Sequence, residues 1–281
     1  IGFEHRAQPM VVSITQSSEL GTVYTPAEVK AIADYCHQNN LLLHMDGARL
    51  WNAAAALGCD FADFTTNAGV DVLSLGGTKN GLIAAEAVVV LNPKAVDGLI
   101  YLRKMSMQLM SKMRFASVQL LALFDGGLGI RSAQHANEMA QELRSKLEAR
   151  IAAGEIKGLE FTNPTDANAV FATLDPTAIE TIRKQVHFYD WNLEIHEVRW
   201  MCAFDTTTED VDRFVDIITE ALKSLFSRTS FILALCYWGL LGSAGWAVVG
   251  WMPTYLTEHF NLSQGAGGLS ATGYLQIASL F

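Results

Sequence analysis

The chain has 281 residues, half of them hydrophobic, with 20 basic and 29 acidic side chains and a formal net charge of −9. That length allows one large domain or two ordinary ones, and the acidic balance gives no electrostatic reason for nucleic-acid binding. Four scattered cysteines without a CxxC pair read as reduced thiols of a cytosolic protein.

Ile1 to Pro9 reads as a connecting segment without the apolar stretch of a signal peptide, and the missing Met makes Ile1 a cut edge. Met10–Thr15 is a short β-branched run that predicts a buried strand. Thr25-Pro26-Ala27-Glu28 is a capping box with proline at the first helical position, and Val29, Ile32, Ala33 and Cys36 follow at helical spacing. A helix from Pro26 to about Asn39 follows. Leu41–Met45, Val70–Leu75 and Ala87–Leu91 are three further strands, the last closed by Asn92-Pro93 as the cap of another helix.

Helical pattern runs from Asn92 to Phe124, breaks at Gly126-Gly127, and resumes from Arg131 to about Ala153. Beyond it, Leu159–Thr162, Ala169–Leu174 and Glu194–Phe204 read as strands. Ala178–Val186 and Thr208–Phe226 read as helices, the latter with Val211, Phe214, Val215, Ile218 and Leu222 on one face. Apolar strands separated by helices imply an α/β layer with a largely parallel sheet, then a smaller α+β domain. The predicted divisions are residues 1–125, 126–227 and 228–281.

The last region differs in kind. Every Lys and Arg lies before Thr229, and Glu258 is the one formal charge after it. Thr229–Leu256 is long enough to cross a bilayer as a helix, with Lys223 and Arg228 holding its near end in the cytosol. Gly265–Phe281 is a second uncharged stretch. Membrane association through residues 229–281 is therefore an expectation, with a buried soluble helix as the alternative.

Ligands of open α/β sheets sit beyond the C-terminal ends of the strands, where Asp46 and Lys79 both stand. Lys79, in Leu75-Gly76-Gly77-Thr78-Lys79-Asn80-Gly81, reads either as a surface lysine in a glycine turn or as an amine nucleophile beside a flat ligand. The spacing fits neither GxxxxGK[ST] nor GxGxxG. Asp46, in His44-Met45-Asp46-Gly47-Ala48-Arg49, reads either as the N-cap of a following helix or as a carboxylate paired with a ring nitrogen. The seven histidines show no metal-ligand spacing, and His44 reads as a packed or solvated histidine.

Asp46-Gly47-Ala48-Arg49 followed by Ser74-Leu75-Gly76-Gly77-Thr78-Lys79-Asn80-Gly81 resembles the threonine aldolase branch of the β-eliminating lyases, which are fold-type-I pyridoxal-phosphate enzymes. The resemblance runs from about Pro9 to Lys223 and includes Glu19-Leu20-Gly21-Thr22-Val23-Tyr24. It implies pyridoxal 5'-phosphate as cofactor, Lys79 as the lysine bonded to it, and Asp46 on the pyridine nitrogen. Ala48 would pack under the ring and Arg49 would face the phenolate oxygen. Arg199, in Glu197-Val198-Arg199-Trp200, would bind the substrate carboxylate, unless it is a surface arginine of a small-domain strand. Arg114 would help hold a phosphate across a subunit interface.

The implied reaction is cleavage of a β-hydroxy-α-amino acid to glycine and an aldehyde by a homo-oligomeric cytoplasmic enzyme. β-Elimination or transamination would share the cofactor residues. The family's phosphate-binding turn has no match after Ile1, so low turnover is expected of this chain. Trp251-Met252-Pro253-Thr254-Tyr255-Leu256, with Phe260-Asn261-Leu262-Ser263, resembles the first helix and loop of a major facilitator transporter half. That implies a join near residues 226–229 and makes a membrane transporter fragment the alternative of a different class.

Overall fold

The computed structural model describes residues 2–223 and 229–270. Two compact units divide the chain, Ile1–Leu222 and Lys223–Phe281. The first begins with β1 (Val11–Thr15), α1 (Pro26–Gln38), β2 (Leu42–Gly47), α2 (Leu50–Leu57), α3 (Phe61–Phe64), β3 (Val72–Gly76) and β4 (Glu86–Val90). It continues through α4 (Leu99–Met105), α5 (Arg114–Phe124) and α6 (Leu128–Ala152), then β5 (Glu160–Phe161), β6 (Ala169–Thr173), α7 (Pro176–Arg183), β7 (Tyr189–Asn192), β8 (Glu197–Met201) and α8 (Thr208–Lys223).

Helix α1 starts as its capping box requires. The Glu28 N–H donates to Thr25 Oγ1 at 3.3 Å and the Thr25 N–H donates back to Glu28 Oε2 at 2.7 Å. Val29, Ala33 and Cys36 face inward, one side of a helix at i, i+4 and i+7. Strands β1, β2 and β3 are parallel neighbours and β4 closes the sheet antiparallel to β3. A core of Leu43, Met45, Leu73, Leu75, Trp51 and Phe64 lies between this sheet and its helices.

The second sheet, in the order β5-β6-β8-β7, is antiparallel throughout. Its core joins Val170, Ala172 and Val198 to Ile179, Ile182, Val215 and Ile218. Helix α6 serves both cores, contributing Ala133 to the first and Ala140, Leu143 and Leu147 to the second. Two layers meeting along one long helix give the first unit its α/β and α+β parts.

Several boundaries differ from the sequence pattern for local reasons. Asn92 does not cap a helix. Its side-chain N–H donates to Asp71 Oδ1 at 2.7 Å and its Oδ1 accepts the Lys94 N–H, so the chain turns and α4 starts only after Gly98. The Glu194–Phe204 strand begins at Glu197, because a turn at residues 193–196 with His196 at φ 54° precedes it. Strand β7, before that turn, carries exposed side chains throughout and so lacks the apolar signature of a strand.

The second unit contains α9 (Thr229–Phe260), with Pro253 inside it. Among the described residues no helix is long and apolar enough to cross a membrane, which corrects the expectation of a spanning tail. Gly239, Gly242, Ser243, Gly245 and Gly250 interrupt the aliphatic residues, so the absence of charge overstated how apolar the stretch is. The expected join near residues 226–229 and most of Gly265–Phe281 lie outside the described residues.

Candidate active site

Parallel pairing of β2 and β3 brings two turns to one end of the sheet. Asp46 is in register with Ser74 and Gly47 with Leu75, so the Asp46–Arg49 turn and the Gly76–Lys79 turn leave neighbouring strand ends together. Their separation is small enough to demand glycine. A Cβ on Gly76 would lie 2.6 Å from the Cα of Ala48, and one on Gly47 would lie 2.8 Å from the Ser74 carbonyl oxygen. The Gly76 carbonyl also accepts the buried Trp51 indole N–H at 2.8 Å, which ties the turn to α2.

Asp46 does not cap a helix: α2 begins after Arg49, with no side-chain cap. Its Oδ1 accepts the Ala48 N–H at 2.9 Å, the one hydrogen bond its carboxylate makes among the described residues, and Oδ2 is left open. Lys79 lies in a short 3-10 turn, exposed, with no hydrogen bond to its amine among the described residues. The buried neighbour Asn80 holds that turn by donating to the Gly129 carbonyl at 2.9 Å.

His44 is engaged at both ring nitrogens, Nδ1 with Ser13 Oγ at 2.7 Å and Nε2 with Ser74 Oγ at 3.0 Å. It bridges three adjacent strands, which suits a packed histidine and occupies both positions a base would use.

Arg49 and Arg199 converge on a carboxylate that the sequence motifs did not single out as a site residue. Glu19 Oε2 accepts from Arg199 Nη1 at 2.9 Å and Oε1 from Arg49 Nη1 at 3.4 Å. Burial pushes the Glu19 carboxyl up, but Arg49, the Arg199 hydrogen bond and Lys79 outweigh it and hold Glu19 below the usual carboxylate range. Burial also lowers Arg49, and Glu19 partly restores it. The Arg199 guanidinium is stacked 4.7 Å above the Trp191 ring. Glu19, Arg49 and Arg199 line a closed-up cleft, with no room for a water molecule, together with Ser17, Ser18 and Asn168. A larger cavity about Trp51, Phe61 and Phe124 shares none of these residues.

Asn168 was also missed, since a lone asparagine before a strand carries no signal. Its Nδ2 donates to the Cys202 carbonyl at 2.7 Å, which fixes the amide's orientation, while Oδ1 is buried without a donor. Arg114 stands apart. It is exposed at the start of α5, its guanidinium 5.2 Å from the Phe115 ring centroid, and no hydrogen bond or ion pair among the described residues ties it to the cleft.

The arrangement fits pyridoxal phosphate in three respects. Among the described residues it offers an unpaired carboxylate oxygen at one strand end, an unpaired amine at the next, and two turns that glycines allow to pack closely. The orphaned Asn168 oxygen, beside two arginines, adds an acceptor suited to a polar ligand.

Comparison with known proteins agrees. A low specificity L-threonine aldolase of a Pseudomonas species is 43% identical over 203 residues, covering 72% of this chain and 57% of the relative. That of Pseudomonas aeruginosa is 41% identical over 74% of this chain and 58% of its own length. The chain thus spans little more than half the length of these relatives. Among solved structures, Leishmania major threonine aldolase superposes with a TM-score of 0.70 at 27% identity, covering 78% of this chain and 63% of that one. The α/β fold is the one expected of a fold-type-I enzyme, whereas none of these comparisons supports a transporter-like reading of residues 229–281. The family model for beta-eliminating lyases matches residues 2–176, well over half of the chain, and the protein belongs to that family.

Proposed function

We propose that this protein supplies the cofactor-binding sheet end of a pyridoxal-phosphate enzyme that cleaves a β-hydroxy-α-amino acid into glycine and an aldehyde. The observation that carries it is the placement of Asp46 and the Lys79 turn on adjacent parallel strand ends, with Arg49 on the Asp46 turn. The likeness to threonine aldolases supports this substrate class. Residues 1–125 form the large lobe in this reading, residues 126–227 the small lobe, and 228–281 a third region.

When bound, pyridoxal phosphate supplies a ring that takes up the electron pair released as the Cα–Cβ bond breaks. Asp46 Oδ2 would accept the ring N–H and keep that proton in place, since a carboxylate beside it favours the charged nitrogen. Lys79 Nζ is the amine that would hold the cofactor. The Ala48 methyl would pack under the ring, and Arg49 would face the phenolate oxygen. Arg199 would take the substrate carboxylate through two of its N–H groups, its guanidinium held over the Trp191 ring.

Borohydride reduction in the presence of pyridoxal phosphate should fix the cofactor to Lys79, as read by peptide mapping. A label on Lys94 or Lys112 instead overturns the assignment. Glycine release from threonine, where measurable, should vanish in Lys79→Ala.

A further inference from the structure

The segment Glu19–Tyr24 belongs to the family resemblance but has no part in the chemistry above. Structurally it is a pinned loop. The buried Gln16 amide donates to the Tyr24 carbonyl at 2.8 Å and accepts the Tyr24 N–H at 3.0 Å. Inside that clasp the Ser18 N–H donates to the Thr22 carbonyl at 2.9 Å, and Ser18 Oγ meets Thr22 Oγ1 at 2.7 Å. Gly21, at φ 78°, presses on β6, where a Cβ would stand 3.3 Å from Ala169 and Phe171. Glu19 is carried at the tip of a loop whose backbone is held on both sides.

Its side chain is the least confined member of the cluster it forms. The Glu19 side chain is 47% exposed, whereas those of Arg49 and Arg199 are 12% and 18% exposed. Arg199 is held further by strand pairing to β6 and β7 and by stacking on Trp191. Two guanidinium groups facing one space repel each other, and one carboxylate shared between them relieves that repulsion. When a second carboxylate arrives, the group free to leave is Glu19, by side-chain rotation into solvent with the loop still in place.

We propose that Glu19 is an internal stand-in for the substrate's α-carboxylate, occupying Arg199 through Oε2 until the incoming carboxylate displaces it and its side chain turns out into solvent. This rests on the reading of Arg199 as the substrate-carboxylate seat. Glu19 acts as a positioning residue. It keeps both arginines aimed at the cleft, and it weakens carboxylate binding by the strength of the contact that must break.

The test is titration of the full chain with acetate, read by Trp191 fluorescence and checked with Trp191→Phe as the variant that removes the signal. Glu19→Gln keeps the length of the side chain and one acceptor oxygen, and removes its charge and its second acceptor. Acetate should bind it about two- to fivefold more tightly than the parent chain, the range set by a partly exposed ion pair. Glu19→Asp, which keeps the charge, should stay closer to the parent, a difference that a purely structural role would not produce. Arg199→Ala should abolish the gain from Glu19→Gln when the two are combined. Equal or weaker acetate binding by Glu19→Gln, with a native circular dichroism spectrum, overturns the proposal. Acetate binding that is indifferent to Arg199→Ala overturns the underlying assignment of the seat instead.

Discussion

Helices α8 and α9 make opposite use of apolar residues. Helix α8 buries Val211, Val215, Ile217 and Ile218 along one side and turns Glu209, Asp210, Asp212 and Asp216 outward. Helix α9 is twice as long, 32 residues against 16, and far more apolar, yet Leu233, Leu235, Trp238, Leu240 and Trp246 are all exposed. Apolar content alone does not make a core. The α8 pattern repeats at helical period and presents a stripe that a sheet can cover. The α9 sequence is apolar on every side and has no stripe to be covered.

Removing the tail is expected to have the largest effect on that contrast. Truncation after Ser227 should shift expressed protein from the pellet to the supernatant, because an exposed apolar surface of this kind drives association. An unchanged soluble fraction in fractionated lysate would mean that the α9 side chains are covered in the full chain.

Paired substitutions in the full chain sharpen the comparison. Ile218→Ala should cost about 2–5 kcal/mol in chemical denaturation, since Ile218 is fully buried and its loss leaves a cavity. Leu235→Ala, at an exposed α9 position, should stay within about 0.5 kcal/mol. Comparable losses at the two positions would break the distinction.

Polar groups carry the same lesson at a smaller scale. Asp71, buried ahead of β3, accepts from the Leu43 N–H at 2.7 Å, Asn92 Nδ2 at 2.7 Å and His37 Nε2 at 2.9 Å, whereas Glu258 of α9 is exposed. Burial pushes the Asp71 carboxyl up, but these hydrogen bonds prevail and hold it below its ordinary 3.8. A depressed carboxyl stabilises the fold above its unfolded value, and that contribution is lost as pH falls through the folded value. Asp71→Asn should therefore cost about 1.5–3 kcal/mol near neutrality, the range for hydrogen bonds to a charged group. The gap from the parent chain should narrow below pH 3.8 in acid-unfolding curves. A pH-independent gap would mean that the Asp71 charge contributes nothing.

Much was legible from local chemistry. The Thr25–Glu28 box, the apolar strands of the first sheet and the α8 stripe each announce themselves within a few residues, because capping and burial periodicity are short-range constraints. Asp46, Lys79 and Arg199 were singled out by motif as candidates. Other elements gave no such signal. Strand β7 is solvated on both faces and is a strand only because β8 offers it backbone partners. Asn92 resembles a helix cap until Asp71, 21 residues away, claims its amide.

By itself, the sequence determined the alternation of buried strands and helices, the glycines at two strand ends, and the residues that stand there. Only the tertiary structure decided what lies opposite them. Glu19 and Arg199 are 180 residues apart, and no spacing rule joins them. They meet because the second sheet packs against a loop of the first, where Gly21 lies on β6 and brings one carboxylate to two guanidinium groups. Hydrophobic periodicity reports which face of an element is buried, whereas an ion pair between elements depends on how those faces are finally stacked.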